Sequence, residues 1–256
     1  MKREKLTLPL QNFPAELHPY LADAELYDSS CHSSARTIYV APDYYLKIDG
    51  RGELRREAQT TGWFHRRGFG PEVVQYLTRD RDYLLTRSVP GGDGRSWLDD
   101  PERLCRTLAQ TLRGLHATPP AGLPASTRLE RYLASAEDRD GGCWDESVLM
   151  PEFMIHSREQ AWSVMQANKS RLQHDTLIHG DFCLPNVILN GGGSGSLIDF
   201  SMAGAGDRHI DLYWAVWSLR YNLKTGRYTG YFLDLYGRDR FDITMLPVIA
   251  AFEAFG

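Results

Sequence analysis

The sequence predicts an α+β protein of two lobes, in which a small antiparallel β-sheet lobe with one helix precedes a mostly helical lobe. The first 90 residues contain mostly short β-rich runs and one helical segment, whereas amphipathic helical patterns dominate the later residues. Between these regions, Pro90-Gly91-Gly92 is a turn signal of the kind that separates domains. We therefore expect a first lobe over residues 1–89 and a second over residues 90–256.

The elements of the first lobe follow from β-rich runs and the turn signals between them. Ala-Pro-Asp and a charged turn interrupt these runs, as expected for antiparallel pairs. The segment Gly52–Arg67 predicts a helix that contains Glu57. The four predicted strands are Thr37–Val40, Tyr44–Ile48, Val73–Tyr76 and Tyr83–Thr86.

The second lobe opens with a strong helix signal. Asp100 is a good N-cap and Pro101 suits the first helical position. Leucines follow at spacings of four, four and three, which predicts one buried face ending before Pro119-Pro120. The further predicted helices are Thr127–Ala136, Ser157–Asn168, Asp211–Tyr221 and Asp242–Phe255, the last with Pro247 near its middle.

The stretch Leu177–Phe200 carries the chemistry. Its apolar runs Val187–Leu189 and Leu197–Ile198 flank a Gly/Ser turn, which predicts a β-hairpin. Three polar residues lie at the hairpin's edges, and they are Asp181, Asn186 and Asp199.

The spacing of these three residues indicates phosphoryl transfer. Asp181 and Asn186 form the pattern D-x-x-x-x-N, and Asp199 ends the following strand, where kinases place a metal-binding carboxylate. Aspartate and asparagine are also common in turns for local hydrogen-bonding reasons. All three in register behind His179-Gly180 favour the catalytic interpretation over the local one.

A lysine in a predicted strand and a glutamate in the next helix extend the pattern. Lys47 lies in the run YYLKID, and Glu57 lies in the helix that follows. In kinases such a lysine binds the α- and β-phosphates and such a glutamate holds it. A solvated edge lysine is the structural alternative.

The segments HGDFCLPNVIL and IDFSMAGAGDRHIDL resemble the aminoglycoside 3′-phosphotransferases, antibiotic kinases with a protein-kinase-like fold. The resemblance implies that Asp181 is the catalytic aspartate and that Asn186 and Asp199 hold Mg²⁺. It also implies that Asp207 braces the catalytic segment. The run REAQTTGWF resembles the corresponding helix of these kinases and selects Glu57 over Glu53 as the partner of the lysine.

The same resemblance implies a nucleotide site in the first lobe. Ser33 and Ser34 would lie in a loop over the phosphates of ATP, although a solvated turn explains them almost as well. Tyr45 would stack on adenine, with a core tyrosine as the alternative. Val89 lies in the expected hinge, where backbone groups would bind the adenine edge.

Substrate residues are implied less strongly. Asp145 and Glu146 lie in an acidic loop that resembles the drug-binding loop of the family, and Glu253 lies near the chain end, where the family carries acidic residues. Other positions depart from the family. Ser201 stands where the family usually has glycine, and Met202 stands where it often has arginine. Tyr221-Asn222 stands where it often has two acids. The sequence ends in FEAFG, where the family typically has an acidic stretch followed by phenylalanine.

Composition narrows the function classes. With 256 residues, 42% hydrophobic content and a net charge of −4, the chain predicts a globular protein and argues against a general nucleic-acid binder. It contains neither an apolar run long enough to span a membrane nor an apolar signal core near Met1. Its four cysteines form no C-x-x-C pair, which fits a reducing cytoplasm. Cys183 as a nucleophile has no base nearby in sequence.

Together these observations predict transfer of the γ-phosphoryl group of ATP, with Mg²⁺, to a hydroxyl of an aminoglycoside, namely the 3′-hydroxyl. The alternatives are a kinase of another small hydroxyl compound (a macrolide, a peptide antibiotic or a metabolite) and a nucleotide-binding pseudokinase. A pseudokinase is disfavoured by the intact set of Lys47, Asp181, Asn186 and Asp199. No protein partner is implied.

Overall fold

The computed structural model describes residues 4–30, 35–124, 126, 128–138, 143–191 and 195–256. The chain divides into two compact units, Met1–Pro90 and Gly91–Gly256. The first is built around an antiparallel sheet and the second contains most of the helices, as predicted for an α+β chain.

The described residues of the first unit form a six-stranded antiparallel sheet and two α-helices. Its strands are β1 (Lys5–Leu6), β2 (Glu25–Asp28), β3 (Arg36–Ala41), β4 (Tyr44–Gly50), β5 (Val73–Thr78) and β6 (Arg81–Arg87), and its helices are α1 (His18–Leu21) and α2 (Arg55–His65). The strand order is β1-β2-β3-β4-β6-β5. The pairing of β4 with β6 rather than β5 places Lys47 opposite Leu84 in the middle of the sheet.

Side chains of β4 alternate between the two faces of the sheet, and one of these faces packs against the core. Leu46 and Ile48 are buried among the apolar side chains of the sheet. Because successive side chains of a strand point to opposite faces, Tyr45 and Lys47 share the other face. Both are half-buried.

Helix α2 begins three residues later than predicted, at Arg55. Asp82 of β6 is fully buried and accepts a hydrogen bond from the backbone N–H of Leu54 at 3.0 Å, and a second from Tyr76 Oη at 2.8 Å. This carboxylate satisfies one of the N–H groups that a helix start leaves unpaired, and it fixes α2 against the sheet.

The described residues of the second unit form six α-helices and several short strands. Its strands are β7 (Gly92–Asp93), β8 (Thr176–Ile178), β9 (Val187–Leu189), β10 (Ser196–Leu197) and β11 (Gly204–Gly206), and its helices are α3 (Pro101–His116), α4 (Arg128–Ser135), α5 (Arg158–Asn168), α6 (Arg208–Leu223), α7 (Arg227–Tyr236) and α8 (Leu246–Glu253). Strand β9 lies between β10 and β7, and β8 pairs with β11.

Helix α3 forms as predicted. Asp100 accepts a hydrogen bond from the backbone N–H of Arg103 at 3.1 Å and so caps the helix. The predicted apolar face is buried, with each of its leucines at most 1% exposed, namely Leu104, Leu108, Leu112 and Leu115.

In the second unit, α7 and α8 depart furthest from prediction, and α6 begins at Arg208, three residues before the predicted start. The structure contains α7, which the sequence patterns did not predict, and α8 begins at Leu246 rather than near Asp242. Pro247 therefore lies in the first turn of α8, where its missing N–H costs no intrahelical bond, instead of near the middle. Within the described part of the chain, none of the helices combines the length and the apolarity needed to cross a bilayer.

Candidate active site

A β-hairpin carries the three residues singled out in the sequence. Strands β9 and β10 pair antiparallel, with Leu197 opposite Val187. The pairing continues beyond the strands, because the N–H of Ile198 donates to the carbonyl oxygen of Asn186 at 3.0 Å. Asn186 and Asp199 therefore lie at the same open end of the hairpin.

Asn186 binds Asp181 directly. The Asn186 Nδ2 donates to the Asp181 carboxylate oxygen Oδ2 at 2.8 Å and to the Asp181 carbonyl oxygen at 3.0 Å. The five-residue spacing is bridged by a short turn at Leu184–Asn186, in which Pro185 occupies a helix-start position. The side-chain amide of Asn186 thus sets the orientation of the Asp181 carboxylate.

Asp199 has an unusual backbone. Its φ of 61° is in the left-handed region, which a non-glycine residue adopts only when its surroundings hold it there. Ser201 Oγ donates to Asp199 Oδ1 at 2.9 Å. Ser201 therefore orients the carboxylate.

His179 joins the catalytic segment to the strand that ends in Asp199. Its ring is fully buried, its Nε2–H donates to the Ile198 carbonyl oxygen at 2.8 Å, and its Nδ1 accepts from the Asp181 N–H at 3.3 Å. The ring packs against Phe200, with centroids 5.4 Å apart. The tautomer with its proton on Nε2 satisfies both hydrogen bonds. His179 therefore positions the backbone of Asp181 relative to the strand that leads to Asp199.

The aspartate that braces the catalytic segment is Asp211, not Asp207. The fully buried Asp211 carboxylate accepts from the backbone N–H of His179 at 2.8 Å and of Gly180 at 2.7 Å. His116 Nε2 donates to the same carboxylate at 3.0 Å. The two aspartates are four residues apart, and only Asp211, which lies inside α6, binds the segment after β8.

Asp207 acts at the start of α6. Its side chain accepts from the N–H of His209 at 2.9 Å, as an N-cap, and from the N–H of Gln173, before β8, at 2.9 Å. Burial alone would raise the pKa of Asp207, but the hydrogen bond and charge of His209 and these backbone donors outweigh it and lower that pKa. Asp207 is therefore a buried, ionised cap.

Cys183 is unsuited to nucleophilic catalysis. Burial, followed by the charge of Asp181, raises the pKa of its thiol well above the usual value. A cysteine attacks as its thiolate, so a raised pKa leaves it unreactive. This argues against the alternative, considered from the sequence, that Cys183 is a catalytic nucleophile.

In the first unit, Lys47 forms a bidentate ion pair with Glu57. The ammonium lies 3.0 Å from Oε1 and 2.8 Å from Oε2 of the glutamate, whose side chain is 9% exposed. The structure thus joins Lys47 to Glu57 rather than to Glu53, which lies before the helix begins. Because the Glu57 carboxylate is itself buried and held by α2, the ion pair keeps the Lys47 side chain on its face of the sheet.

The remaining expected nucleotide residues lie in the same unit. The Tyr45 ring is tilted against Tyr39, with centroids 4.9 Å apart, on the face of β4 that carries Lys47. Val89 lies in irregular backbone after β6 and is half-buried. Ser33 and Ser34 fall outside the residues that the structure describes.

The expected substrate residues divide into two kinds. Asp145 and Glu146 are exposed, and Asp145 caps a short helical turn by accepting from the N–H of Ser147 at 2.9 Å. Glu253 instead is buried, and its Oε1 accepts from Arg128, from Tyr132 and from Trp214. Internal donors therefore occupy Glu253 Oε1 in a buried position, which argues against the prediction that this carboxylate binds a substrate ammonium.

Several residues at the site were not found from the sequence. Arg128, His116 and Ser218 come from α4, α3 and α6, and each donates to or contacts the catalytic segment or its brace. Ser218 Oγ accepts from the N–H of Leu184 at 2.9 Å. These contacts join residues at least 34 positions apart, so no local spacing indicates them.

The residues present fit a magnesium ion. Because the amide NH₂ of Asn186 donates to Asp181, its Oδ1 is the atom turned to other partners, and Asp199 supplies carboxylate oxygens. Mg²⁺ typically takes one or two protein oxygens and completes its shell with water and phosphate. Among the described residues no cluster of three or more His, Cys, Asp or Glu side chains forms a self-sufficient metal cage.

Comparison with known proteins gives a consistent family. The model of the "Phosphotransferase enzyme family" matches residues 32–246. A protein of Lactococcus lactis subsp. lactis named "Probable aminoglycoside 3'-phosphotransferase" is 36% identical over 258 aligned residues, covering 99% of this chain and 98% of the relative. An "Aminoglycoside 3'-phosphotransferase" of Niallia circulans is 29% identical, covering 91% and 93%.

Solved structures share the fold. An aminoglycoside-3'-phosphotransferase of type VIII superposes with a TM-score of 0.70 at 21% identity, covering 96% of each chain. An aminoglycoside phosphotransferase of Streptomyces rimosus, solved in complex with ADP and streptomycin, gives a TM-score of 0.74 at 18% identity, covering 97% and 99%. This chain therefore belongs to the phosphotransferase enzyme family and has the kinase-like fold of the aminoglycoside phosphotransferases.

Proposed function

We propose that the protein transfers the γ-phosphoryl group of ATP to the 3′-hydroxyl of an aminoglycoside antibiotic and so confers resistance to it. The observation that carries the proposal is the catalytic segment itself, in which Asn186 holds the Asp181 carboxylate while the paired strand ends at Asp199. The names of the two similar 3′-phosphotransferases support the choice of acceptor.

In this proposal Asp181 acts on the acceptor. Its carboxylate orients the drug hydroxyl and takes up the proton as the hydroxyl oxygen bonds to the γ-phosphorus and the bond to the β,γ-bridging oxygen breaks, releasing ADP. The hydrogen bond from Asn186 to Oδ2 keeps the carboxylate in one orientation. Preorganisation of this kind lowers the cost of reaching the reactive geometry.

The proposed cofactors are ATP and Mg²⁺. The complex with ADP of the Streptomyces rimosus relative supports nucleotide binding, and a further relative of the same fold is solved with GDP and kanamycin. Asn186 and Asp199 would hold Mg²⁺, which neutralises charge on the transferred phosphoryl group. Lys47, held by Glu57, would bind the α- and β-phosphates.

The two lobes would divide this work. We assign nucleotide binding mainly to residues 1–89, with Tyr45 and the hinge at Val89 against adenine and Ser33 and Ser34 near the phosphates. Catalysis and acceptor binding belong to residues 90–256. A cytoplasmic location is part of the proposal, since ATP is supplied there and the described cysteines are free thiols.

Acceptor binding would rest on exposed carboxylates. Aminoglycosides carry several ammonium groups, and Asp145 and Glu146 are exposed acids on one loop. Each exposed ion pair contributes only about 0–1 kcal/mol, so several must converge for useful affinity.

One observation favours a second candidate, a kinase of another small hydroxyl compound. Tyr221 is 57% exposed and Asn222 donates to the Ser218 carbonyl oxygen at 2.7 Å, where the family often carries two acids, and the Glu253 carboxylate is buried. These features reduce the number of carboxylates available to a polycationic drug.

A screen of ATP consumption separates the candidates. Purified protein with Mg²⁺ and ATP is tested against aminoglycosides, macrolides, peptide antibiotics and small hydroxyl metabolites. Stimulation by aminoglycosides that bear a 3′-hydroxyl supports the proposal. Stimulation by another compound alone would replace it with the second candidate, and ADP binding without any stimulation would favour a pseudokinase.

A further inference from the structure

A buried arginine lies against the catalytic segment. Arg128, in the first turn of α4, is 6% exposed, and its guanidinium donates to the carbonyl oxygen of Gly180 at 3.3 Å. The same guanidinium contacts the sulfur of Met202 at 3.6 Å. Gly180 directly precedes Asp181, so the arginine touches the peptide that leads into the catalytic side chain.

Glu253 holds this arginine from the last helix. The Arg128 guanidinium donates to Glu253 Oε1, and the same oxygen accepts from Tyr132 and, at 2.9 Å, from Trp214 Nε1. Burial would lower the pKa of Arg128, but Tyr132, Glu253 and, less strongly, Asp181 raise it, so that the guanidinium stays charged. Two opposite charges are thus buried together beside the catalytic segment.

The turn at Gly180 leaves little room for adjustment. Its φ is +83°, and a Cβ built there would lie 2.4 Å from the Met202 carbonyl oxygen. Asp211 binds the N–H side of this turn, at His179 and Gly180, whereas Arg128 binds the carbonyl side. The peptide between Gly180 and Asp181 is itself held at both of its polar groups, because Arg128 donates to its carbonyl oxygen and its N–H donates to His179 Nδ1 at 3.3 Å.

We propose that Arg128 is a positioning residue, which orients the Gly180–Asp181 peptide and thereby the catalytic carboxylate, and that Glu253 acts through Arg128 rather than on the substrate. The effect on turnover rests on the proposed phosphotransferase function. The effect on the segment itself does not. Helix α8 would thus contribute to catalysis through a buried charge pair.

The test must separate positioning from stability. The single change Arg128→Gln leaves the buried carboxylate of Glu253 without its charged partner, which destabilises the fold by itself. The double change Arg128→Gln/Glu253→Gln removes both charges together and keeps polar groups at both positions. Arg128→Lys keeps the charge without the fork of the guanidinium. Arg131→Gln is the matched control, because Arg131 is exposed on the same helix and also contacts Met202.

We expect the double variant to keep the thermal midpoint and the ADP dissociation constant of the wild type. Its kcat should fall by roughly 100-fold, the loss that a misplacement of about 1 Å can cause, with little change in the KM values. Arg128→Lys should recover part of that loss, and Arg131→Gln should change kcat by less than about 3-fold, as expected for a change at an exposed side chain.

Hydrogen exchange provides the readout that needs no substrate. In nucleotide-free protein, the amides of a peptide spanning residues 176–186 should exchange faster in the double variant than in the wild type or Arg131→Gln. Wild-type exchange and near-wild-type kcat in the double variant would overturn the proposal. If the wild type phosphorylates no aminoglycoside, the proposed function fails, and the exchange comparison alone decides the role of Arg128.

Discussion

Asp181 is the side chain on which the proposed chemistry depends. The change Asp181→Asn keeps the size of the group but removes the carboxylate that would take the acceptor's proton. We expect kcat to fall by roughly 10²- to 10⁴-fold, the usual contribution of a general base, with nearly unchanged ADP binding. Steady-state kinetics and nucleotide titration check this.

The comparison variant Asp199→Ala should weaken Mg²⁺-dependent nucleotide binding as well. An Asp181→Asn enzyme with most of the wild-type kcat would refute the assignment.

Lys47 and Glu57 allow a graded test. Lys47→Ala removes a charge-assisted contact worth about 1.5–3 kcal/mol, so kcat/KM for ATP should fall by roughly ten- to a hundredfold. Glu57→Gln should give a weaker form of the same defect, because the lysine remains but is held less firmly. Glu53→Gln is the matched control, with kinetics near those of the wild type. If Glu53→Gln were the more damaging of the two, the pairing at α2 would be assigned to the wrong glutamate.

The contacts that could be predicted from the sequence join residues close together in the chain. Asn186 and Asp181 are five positions apart and Lys47 and Glu57 ten, so a turn or a strand–helix unit brings each pair together. Arg128 and Glu253 are 125 positions apart. Their pairing depends on how α4 and α8 pack, and as isolated residues they look like ordinary surface charges.

Helix α6 shows how one element can carry two aspartates with different tasks. Asp207 precedes the first helical residue and caps it, whereas Asp211 is one turn further on and faces the segment after β8. The motif GDRHID contains both aspartates, but the direction in which each side chain points follows from where α6 begins. The boundaries of α8 could not be predicted for a similar reason, since Pro247 is equally compatible with a helix start and with an interruption.

The cap at Asp207 predicts a dependence of stability on pH. Its pKa is lowered in the folded state, so the stability that it contributes is present above the unfolded pKa of about 3.9 and is lost as pH falls through the lower folded value. Asp207→Ala should therefore destabilise the protein by at least about 2 kcal/mol near neutral pH. The difference from the wild type should shrink below about pH 4. Thermal melts over a pH series check this.

Asp100→Ala supplies the control for that measurement. Asp100 caps α3 from an exposed position, and such a change costs about 1 kcal/mol. A deficit for Asp207→Ala that was no larger than this, or that stayed constant into acid, would contradict the description of Asp207 as a buried, ionised cap.

Of the three acids expected to bind a polycationic acceptor, Asp145 and Glu146 are exposed and Glu253 is buried. We therefore expect the protein to phosphorylate a narrower range of aminoglycosides than its relatives, with acceptor KM values that rise with salt, because the Debye length shortens from about 10 Å at 0.1 M to about 3 Å at 1 M. Asp145→Asn should raise the acceptor KM and leave the KM for ATP unchanged. An acceptor KM independent of salt would show that carboxylates do not dominate recognition.

The family and the kinase-like fold were both predicted from the sequence, because the residues that carry them are contiguous in HGDFCLPNVIL and its neighbours. The acceptor is less directly encoded, since the acids expected to bind it are dispersed and one of them, Glu253, is buried in a charge pair. The type of reaction can therefore be predicted from contiguous motif residues, whereas the choice of substrate depends on contacts between distant parts of the chain.

The most direct test of the central claim compares one aminoglycoside that bears a 3′-hydroxyl with its 3′-deoxy analogue. Purified protein is incubated with ATP, Mg²⁺ and each drug, ADP release is followed, and the product is identified by mass spectrometry. The proposal predicts one added phosphoryl group on the 3′-hydroxy drug, no product from the analogue, and loss of the product in Asp181→Asn. Equal phosphorylation of both drugs, or of neither while another hydroxyl compound reacts, would contradict it.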